Sequence, residues 1–541
     1  MATFSLSIGR QMSVAFRSAK VALHRTFAER KATIKNRQAS VAEPLARDSG
    51  EGSLERPIEI QPPTGIYTEG PSLGKLLRMM QFFGPAAILA SLSLGAGETI
   101  MVTGLGAWAG YQLLWLLLLS VLVKGVFVTY LMGRYTAITG QSFCHRLAAL
   151  PGPRGWLLLA CVLAELSVLS MGLTTVAKPC GNLLAYLQSE PYRLGFSFAA
   201  WENLWSTVLL ALAFVVSQLS TFRLMERQQI VICGLLVLGT VISVFLVRPD
   251  LGQLAWGALR FGNLPAAPPW APVAAREDYV LNLVTVFAYI GGGLSGYLAY
   301  SNWILLRGWG LASQVDAEEL RLRHGASSEV RYLPTAPEQV ARLHRLRTPL
   351  YWDVGLGALV LFVVTAAFMA SGAAILYPRQ MAIGGNEWEL LTRQATIWQQ
   401  IHSSLVPIYY GAVILALWGT LASIPEAITR VADEYLKVVW PNRTQRFSHY
   451  LQLGIVCWLF LATTYWIWSG VSFSTLTQVG SFVTLNVALS AVFVCAIYFN
   501  VTLPRPYRPS LLLLVGSVAS AVILLCSTCG SAVGLFRKFM E

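Results

Sequence analysis

Long apolar runs separated by short polar segments dominate this sequence, and eleven of them are long enough to cross a membrane as helices. A bilayer core about 30 Å thick needs roughly 20 apolar residues in a helix. The runs lie near residues 83–109, 112–133, 155–180, 203–220, 228–247, 279–304, 353–376, 405–428, 450–468, 472–499 and 510–528. The pattern therefore predicts an all-α polytopic membrane protein.

Glycine clusters interrupt two of the predicted helices. Residues 94–98 of the first run read Leu-Gly-Ala-Gly-Glu, and residues 291–296 of the sixth run read Gly-Gly-Gly-Leu-Ser-Gly. Each glycine inside a helix costs about 1 kcal/mol relative to alanine. Backbone can leave the helical conformation at membrane depth only where protein or a water-filled cavity receives its polar groups. We therefore expect a broken helix beside a binding site at each cluster.

The two predicted breaks are five spans apart, at the start of two halves of five spans each. This spacing is typical of transporters built from inverted repeats, in which substrate binds near the membrane midplane between broken helices. Close packing of helices through small residues remains the alternative explanation of each cluster. An enzyme is not expected, because the apolar runs hold no histidine and no pair of aspartates that could serve catalysis.

Ionisable residues are rare within the apolar runs, where each costs several kcal/mol and is a candidate for function. Glu98 follows the first glycine cluster, Lys124 and Glu165 lie within the second and third runs, and Glu426 lies near the end of the eighth. Glu98 is the favoured metal ligand, because a carboxylate beside freed carbonyls suits a hard cation. Lys124 and Glu165 carry opposite charges on adjacent spans, which favours an intramembrane ion pair. Glu426 and Arg430 are four residues apart and should pair along their helix.

The composition supports the membrane assignment. Hydrophobic residues make up 55% of the chain and charged residues 12%, whereas soluble proteins carry about 25% charged residues. An ordinary soluble enzyme is therefore excluded. The net charge is +13, but the positive residues lie in loops and an N-terminal arm, which predicts contact with the lipid bilayer and no nucleic-acid partner. We expect no cofactor, and the sequence leaves the oligomeric state open.

The distribution of Lys and Arg over the loops predicts a cytoplasmic N-terminus and an external C-terminus. Connections after the even-numbered spans hold 18 of these residues and the other connections hold 6, and cytoplasmic loops are the ones enriched in Lys and Arg. We expect a multi-pass protein of the cell membrane. Residues 1–40 hold eight Lys or Arg and one acid, which fits either an organellar targeting peptide or an arm on the membrane surface.

These features divide the chain into five parts, two of which are five-helix repeats. The predicted parts are a basic cytoplasmic arm (1–80), the first repeat (81–247), an external loop (248–278), the second repeat (279–500) with a cytoplasmic linker (306–349) and an external amphipathic segment (385–402), and the eleventh helix with a short external tail (501–541).

Several short segments resemble motifs of the Nramp family of proton-coupled divalent-metal transporters. Residues 109–116, Ala-Gly-Tyr-Gln-Leu-Leu-Trp-Leu, are similar to the start of the family's second helix, and Gln478 in Thr477-Gln-Val matches a glutamine near the family's metal. The other segments are Thr139-Gly140, Leu163-Ala-Glu-Leu-Ser and Phe222-Arg-Leu-Met-Glu-Arg. The resemblance covers roughly residues 80–500. It implies the LeuT-type fold, a 5+5 inverted repeat with broken helices 1 and 6, here with an extra eleventh transmembrane helix.

The sequence departs from the family at the metal site and along the proton route. Gly95 stands where the family has its metal-binding aspartate, and Glu98 stands where it has asparagine, so one carboxylate is displaced by three residues. Residues 293–295 replace the family's Met-Pro-His motif, and Gly172 and Thr175 replace two acids of its proton route. Loss of the thioether and imidazole favours ions that prefer oxygen, such as Mg, Ca or Mn. The pattern is most similar to the branch of Nramp-related magnesium transporters.

Together, the residues and the resemblance predict a secondary transporter or uniporter that moves a divalent metal cation of the Mg, Mn or Fe class by alternating access. The alternative is a LeuT-fold transporter of an amino acid or other small organic solute. The cation is the substrate, and Glu98 is its predicted charged ligand. The other predicted binding groups are Gly95, Gly97, Gly292, Gly293, Ser295 and Gln478.

Overall fold

The computed structural model describes residues 57–69, 72–93, 95, 97–153, 155–188, 195–315, 330–380, 391, 399, 403, 405–440 and 445–540. Most of the predicted N-terminal arm, and all but two residues within the predicted amphipathic segment 385–402 (residues 391 and 399, with 403 just beyond it), lie outside the described residues. The chain divides into two compact units, one formed by Met1–Ile58 and Leu322–Tyr332 and the other by the rest of the chain. Everything below concerns the second unit.

Every regular element among the described residues is helical. The uninterrupted membrane-length helices, numbered here in chain order with α1 and α6 treated separately, are α2 (Leu114–Thr139), α3 (Trp156–Leu187), α4 (Phe198–Leu219), α5 (Phe222–Val247), α7 (Thr348–Ile375), α8 (Leu405–Val439), α9 (Gln445–Trp468), α10 (Phe473–Val501) and α11 (Leu511–Met540).

The first and sixth helices are each described as two segments. We call Pro85–Ser93 α1a, and we call the π-helical turn Gly97–Val102 together with the α-helix Thr103–Ala109 α1b. The sixth helix comprises α6a, Tyr279–Tyr289, and α6b, Leu294–Arg307. Among the described residues, ten helices are long and apolar enough to cross a membrane, and a shorter apolar helix covers Thr99–Ala109. The total of eleven spans and their division into two repeats stay predictions.

Short helices and polar caps fill the connections. The side chains of Ser197, Thr221 and Ser472 accept hydrogen bonds from backbone N–H groups at the starts of α4, α5 and α10, which satisfies donors that have no partner within a helix. Gly140 and Gly308 end α2 and α6b in the left-handed conformation, which glycine adopts without steric cost. The connecting helices are Leu73–Met79, Phe143–Ala148, Leu251–Leu259, Val273–Glu277 and Pro337–Leu346.

Helices α1b and α7 cross at a contact made by two glycines. A Cβ placed on Gly106 would lie 2.2 Å from the Met369 carbonyl oxygen, and a Cβ placed on Gly372 would lie 2.2 Å from the Thr103 carbonyl oxygen. Small residues allow backbones in membrane proteins to approach this closely, where van der Waals packing replaces the hydrophobic drive available in water. The crossing fixes α1b, and therefore one side of the first break, against α7.

Candidate functional site

The break in the first helix lies between α1a and α1b, where Gly95 is described but its neighbours Leu94 and Ala96 are not. The Gly95 N–H donates to the Ser93 carbonyl over 2.7 Å. The Gly95 carbonyl accepts from the Thr99 N–H at 3.2 Å and from the Thr99 hydroxyl at 2.8 Å. From α8, the Thr420 hydroxyl donates to the Ser91 carbonyl at 3.1 Å. Polar groups released by the break therefore find partners within the protein.

The break in the sixth helix requires glycine at two consecutive positions. Gly291 has φ +99° and Gly292 has φ +89°, a region that residues with a Cβ rarely adopt. A Cβ on Gly292 would also lie 2.7 Å from the Ser93 hydroxyl oxygen, and a Cβ on Gly97 would lie 2.8 Å from the Tyr289 Cβ. The two breaks therefore face each other at close range, as expected for paired broken helices.

A cavity of about 90 Å³ lies where the two breaks meet α3, α8 and α10. Four of the predicted binding residues line it, namely Gly95, Gly97, Gly292 and Gly293. Gly172, at a position where the family carries an acid, lines it as well. The polar side chains of the lining are those of Ser93, Glu165, Tyr289, Thr420 and Thr484. Most of the lining surface is apolar, and its polar groups are backbone, hydroxyl and carboxylate oxygens.

Lys124 lies at the carboxyl end of α6a. Its Nζ donates to the carbonyls of Phe287 and Ala288, each at 2.7 Å, and the side chain is 0% exposed. The Ser120 hydroxyl, one turn earlier in α2, donates to the Phe287 carbonyl at 2.8 Å and to the Ile290 carbonyl at 3.1 Å. A cation is stabilised where helix carbonyls end without partners. Helix α2 thus holds the end of α6a.

Glu165 lies at the other side of the same break. Its Oε1 accepts from the Ser295 N–H, at the start of α6b, over 3.1 Å, and the residue is 2% exposed. A carboxylate is stabilised at a helix N-terminus by the N–H groups and the helix dipole. Among the described residues, Oε2 has no hydrogen-bond partner. These contacts place Lys124 and Glu165 at opposite ends of the α6 break, and the predicted ion pair between them stays a prediction.

Comparison with known proteins identifies the family of this chain. The family model described as "Natural resistance-associated macrophage protein-like" (Nramp) matches residues 86–531, which is most of the chain. The chain belongs to the Nramp family. Nramp proteins transport divalent metal cations, so the predicted class of transporter, and not of enzyme, is confirmed at the level of the family. No curated protein matches this Nramp chain.

Solved structures support the predicted fold. A crystal structure of a mutant of the Eremococcus coleocola manganese transporter shows 13% identity and a TM-score of 0.58, covering 86% of this chain and 90% of that one. The same transporter in complex with an aromatic bis-isothiourea substituted compound gives 13% identity, a TM-score of 0.55 and the same coverage. At such identity the likeness shows the fold alone. The all-α LeuT-type fold expected for an Nramp protein is confirmed, whereas the magnesium branch stays a prediction.

Of the remaining predicted ligands of this Nramp protein, Ser295 and Gln478 are not among the residues that line the cavity. Glu98 is the second residue of the π-helical turn that opens α1b, and its side chain lies outside the described residues. Ser295 is buried and contributes its N–H to Glu165. Gln478 is buried near the start of α10, where its Oε1 accepts from the Lys538 Nζ of α11 at 2.8 Å. Lys538 also lies 3.8 Å from the Asp278 carboxylate.

Sequence reasoning missed Asp353, which is 0% exposed and binds the start of α1a. Its carboxylate accepts from the N–H groups of Gly84 at 2.8 Å and Ala86 at 2.9 Å, and from the Tyr300 hydroxyl of α6b at 2.9 Å. The predicted span began at Asp353, whereas α7 begins at Thr348. The proline that follows Thr348 could have indicated the true start of α7, because proline is common in the first turn of a helix.

Two further contacts between helices involve charged side chains that the sequence did not single out. Glu202 of α4 accepts from the Asn182 side chain at 2.9 Å and lies 4.0 Å from the Lys178 Nζ of α3. Arg307, at the end of α6b, donates to Glu226 of α5 at 2.7 Å. The predicted pair along α8 is confirmed, since the Arg430 Nε donates to Glu426 at 2.7 Å.

Proposed function

We propose that this Nramp protein moves a divalent metal cation across the membrane by alternating access, with the cation bound in the cavity between the breaks of α1 and α6. The observation that carries the proposal is the meeting of both breaks at one cavity that also contains a buried carboxylate. Intramembrane carboxylates mark ion pathways, and broken helices supply the polar backbone that an ion needs.

The lining favours a cation that prefers oxygen ligands. Among the described residues that line the cavity there is no Met, Cys or His, and the described part of the chain contains no cluster of three or more His, Cys, Asp or Glu side chains that could hold a metal. Carbonyl, hydroxyl and carboxylate oxygens suit Mg, Ca or Mn rather than softer ions. We therefore propose that, within the Mg, Mn and Fe class, the transported cation is one that prefers oxygen ligands.

The volume of the cavity supports a cation that keeps part of its hydration shell. A single water needs about 10–15 Å³ of such volume, so a cavity of about 90 Å³ has room for several. Mg²⁺ gives up its waters reluctantly and is usually bound through a few protein oxygens together with retained water. A partly hydrated cation explains how so few charged side chains could suffice.

The predicted ligand set forms part of this proposal. Glu98 supplies one carboxylate, and Ser295 supplies a hydroxyl. Gln478 would join only after exchanging its bond to Lys538. Backbone carbonyls at the two breaks complete the set, and they belong to Gly95, Gly97, Gly292 and Gly293. The Gly95 carbonyl would join only after exchanging a hydrogen bond from Thr99.

The proposed orientation places the N-terminus in the cytoplasm and the C-terminus outside a cell membrane. Its support is the loop distribution of 18 Lys and Arg on one side against 6 on the other, since positive loops stay in the cytoplasm. The side of the bundle with the Arg307–Glu226 contact and the start of α1a would then face the cytoplasm.

Uptake into proteoliposomes tests the function. We expect the wild type to accumulate Mn²⁺ or Mg²⁺ along its gradient, and Glu98→Gln to lower the initial rate at subsaturating cation at least about tenfold, which corresponds to about 1.4 kcal/mol. Glu277→Gln, an exposed carboxylate at the end of a short helix, serves as the control and should match the wild type.

Two results would contradict the proposal. If the wild type moves no divalent cation but does move an amino acid, the organic-solute alternative is correct. If Glu98→Gln transports as well as the wild type and Glu277→Gln, the cation does not depend on the Glu98 carboxylate.

A further inference from the structure

Glu165 is a buried carboxylate that uses only one of its two oxygens in a hydrogen bond to the described residues. Oε1 accepts from the Ser295 N–H at 3.1 Å, Oε2 has no hydrogen-bond partner in the part of the chain that the structure describes, and the residue lines the cavity. A buried polar atom without a hydrogen bond is costly, and native proteins rarely keep one without a purpose. A cation in the cavity would satisfy Oε2.

The charges around the cavity also favour a cation at Glu165. A doubly charged ion in a site of low dielectric is stable only when nearby groups offset its charge. The predicted ligand Glu98 supplies a single negative charge, and the buried Lys124 ammonium beside the same break adds a positive one, offset in part by the α6a carbonyls that it contacts. With the cation bound, a second carboxylate at the cavity would lower the formal charge of these groups from +2 to +1.

The position of Glu165 also connects ion binding to helix movement. The carboxylate belongs to α3, whereas the N–H that it accepts from belongs to the start of α6b. Negative charge on the carboxylate stabilises that N-terminus through the helix dipole. A cation bound to Oε2 would be attracted by the same negative charge. A cation in the cavity would therefore change how strongly α3 holds the N-terminus of α6b.

We propose that Glu165 is a second cation-binding carboxylate of this transporter, with Oε1 holding the N-terminus of α6b and Oε2 binding the divalent cation. The proposal rests on the proposed function and deepens it, because it assigns a ligand that lies on α3 rather than on either broken helix.

The test compares Glu165→Gln with the wild type. The glutamine keeps the size of the side chain, and its amide oxygen can still accept from the Ser295 N–H, but the negative charge is lost. We expect the Mn²⁺ concentration for half-maximal uptake in proteoliposomes to rise at least tenfold. We also expect the rise in melting temperature that Mn²⁺ gives the detergent-solubilised wild type to be lost at the same Mn²⁺ concentration.

Two further variants make the comparison specific. Glu202→Gln removes another buried carboxylate, on α4, which does not line the cavity. This variant should keep the wild-type Mn²⁺ concentration for half-maximal uptake. Glu165→Asp keeps the charge on a shorter side chain and should recover part of the affinity lost in Glu165→Gln.

The outcomes separate this proposal from the proposed function. If the wild type transports Mn²⁺ and Glu165→Gln has the same half-maximal concentration, the role of Glu165 is refuted and the function stands. If Glu202→Gln weakens Mn²⁺ as much as Glu165→Gln, the effect is not specific and the role is again refuted. A wild type without divalent transport overturns the proposed function. Should Glu165→Gln fail to fold, Glu165→Asp decides, because unchanged affinity in a folded aspartate variant with wild-type uptake contradicts a ligand that must reach the cation.

Discussion

Gly106→Ala is expected to destabilise the protein by about 3 kcal/mol or more, since overpacking against rigid neighbours costs about 1–3 kcal/mol and sometimes more. The added methyl carbon would lie 2.2 Å from the Met369 carbonyl oxygen and 3.0 Å from the Ala373 nitrogen. Both atoms belong to the backbone of α7, so no side-chain rotation relieves the clash. Helices α1b and α7 must move apart, and the lost packing is the main attraction between helices in a membrane.

Gly104→Ala is the matched control for Gly106→Ala. Gly104 lies two residues earlier in the same helix, and a Cβ placed there meets nothing within 4 Å. Alanine is favoured over glycine in a helix by about 1 kcal/mol, so Gly104→Ala should leave stability unchanged or raise it. Thermal unfolding in detergent, followed by intrinsic fluorescence, measures both variants. Equal melting temperatures for the two variants would show that the α1b–α7 crossing is not as close as described.

Asp353→Ala is expected to lower the stability by about 3–5 kcal/mol, because it leaves three buried donors without their acceptor. The donors are the N–H groups of Gly84 and Ala86 and the Tyr300 hydroxyl, and each unsatisfied buried donor costs about 1–3 kcal/mol. The substitution also removes a negative charge from the N-terminus of α1a, where the helix dipole favours one. The start of α1a would then lose its connection to both α7 and α6b.

A graded series tests this explanation. Tyr300→Phe removes a single donor together with its need for an acceptor, and should cost about 1 kcal/mol. Asp353→Asn keeps one acceptor oxygen and should fall between Tyr300→Phe and Asp353→Ala. Melting temperatures in detergent measure all three. If Asp353→Ala melts as the wild type does, or above Tyr300→Phe, the carboxylate does not hold α1a.

Much of the fold could be predicted from local sequence pattern. The apolar runs located the membrane helices, because a span needs an uninterrupted apolar length whatever its neighbours are. The ends of the helices were predicted less accurately than their positions. Helix α8 continues to Val439, beyond the predicted end at residue 428, and α11 continues to Met540, beyond residue 528. A helix can continue past its apolar run where polar residues keep helical hydrogen bonds, so hydropathy alone does not mark where it stops.

Some features of the candidate site could be predicted from local sequence and others could not. Glycine clusters predicted both interruptions, since positive φ at Gly291 and Gly292 is a local demand that glycine meets. The partners of the buried charges could not be predicted from spacing. The ion pair between Lys124 and Glu165 stays a prediction, and spacing did not indicate the contacts of Lys124 to the α6a carbonyls or of Glu165 to the Ser295 N–H.

The sequence by itself determined the class of protein, the approximate helices, the positions of the glycine-rich interruptions and the Nramp family, because each depends on composition or on residues adjacent in the chain. Only the tertiary structure decided where each buried carboxylate lies and which groups it contacts. Glu165 on α3 lies at the cavity and Asp353 on α7 holds the start of α1a, although both are acids within apolar surroundings. The physical reason is that a buried charge is stabilised by whatever dipoles and donors face it, and these come from helices far apart in the chain.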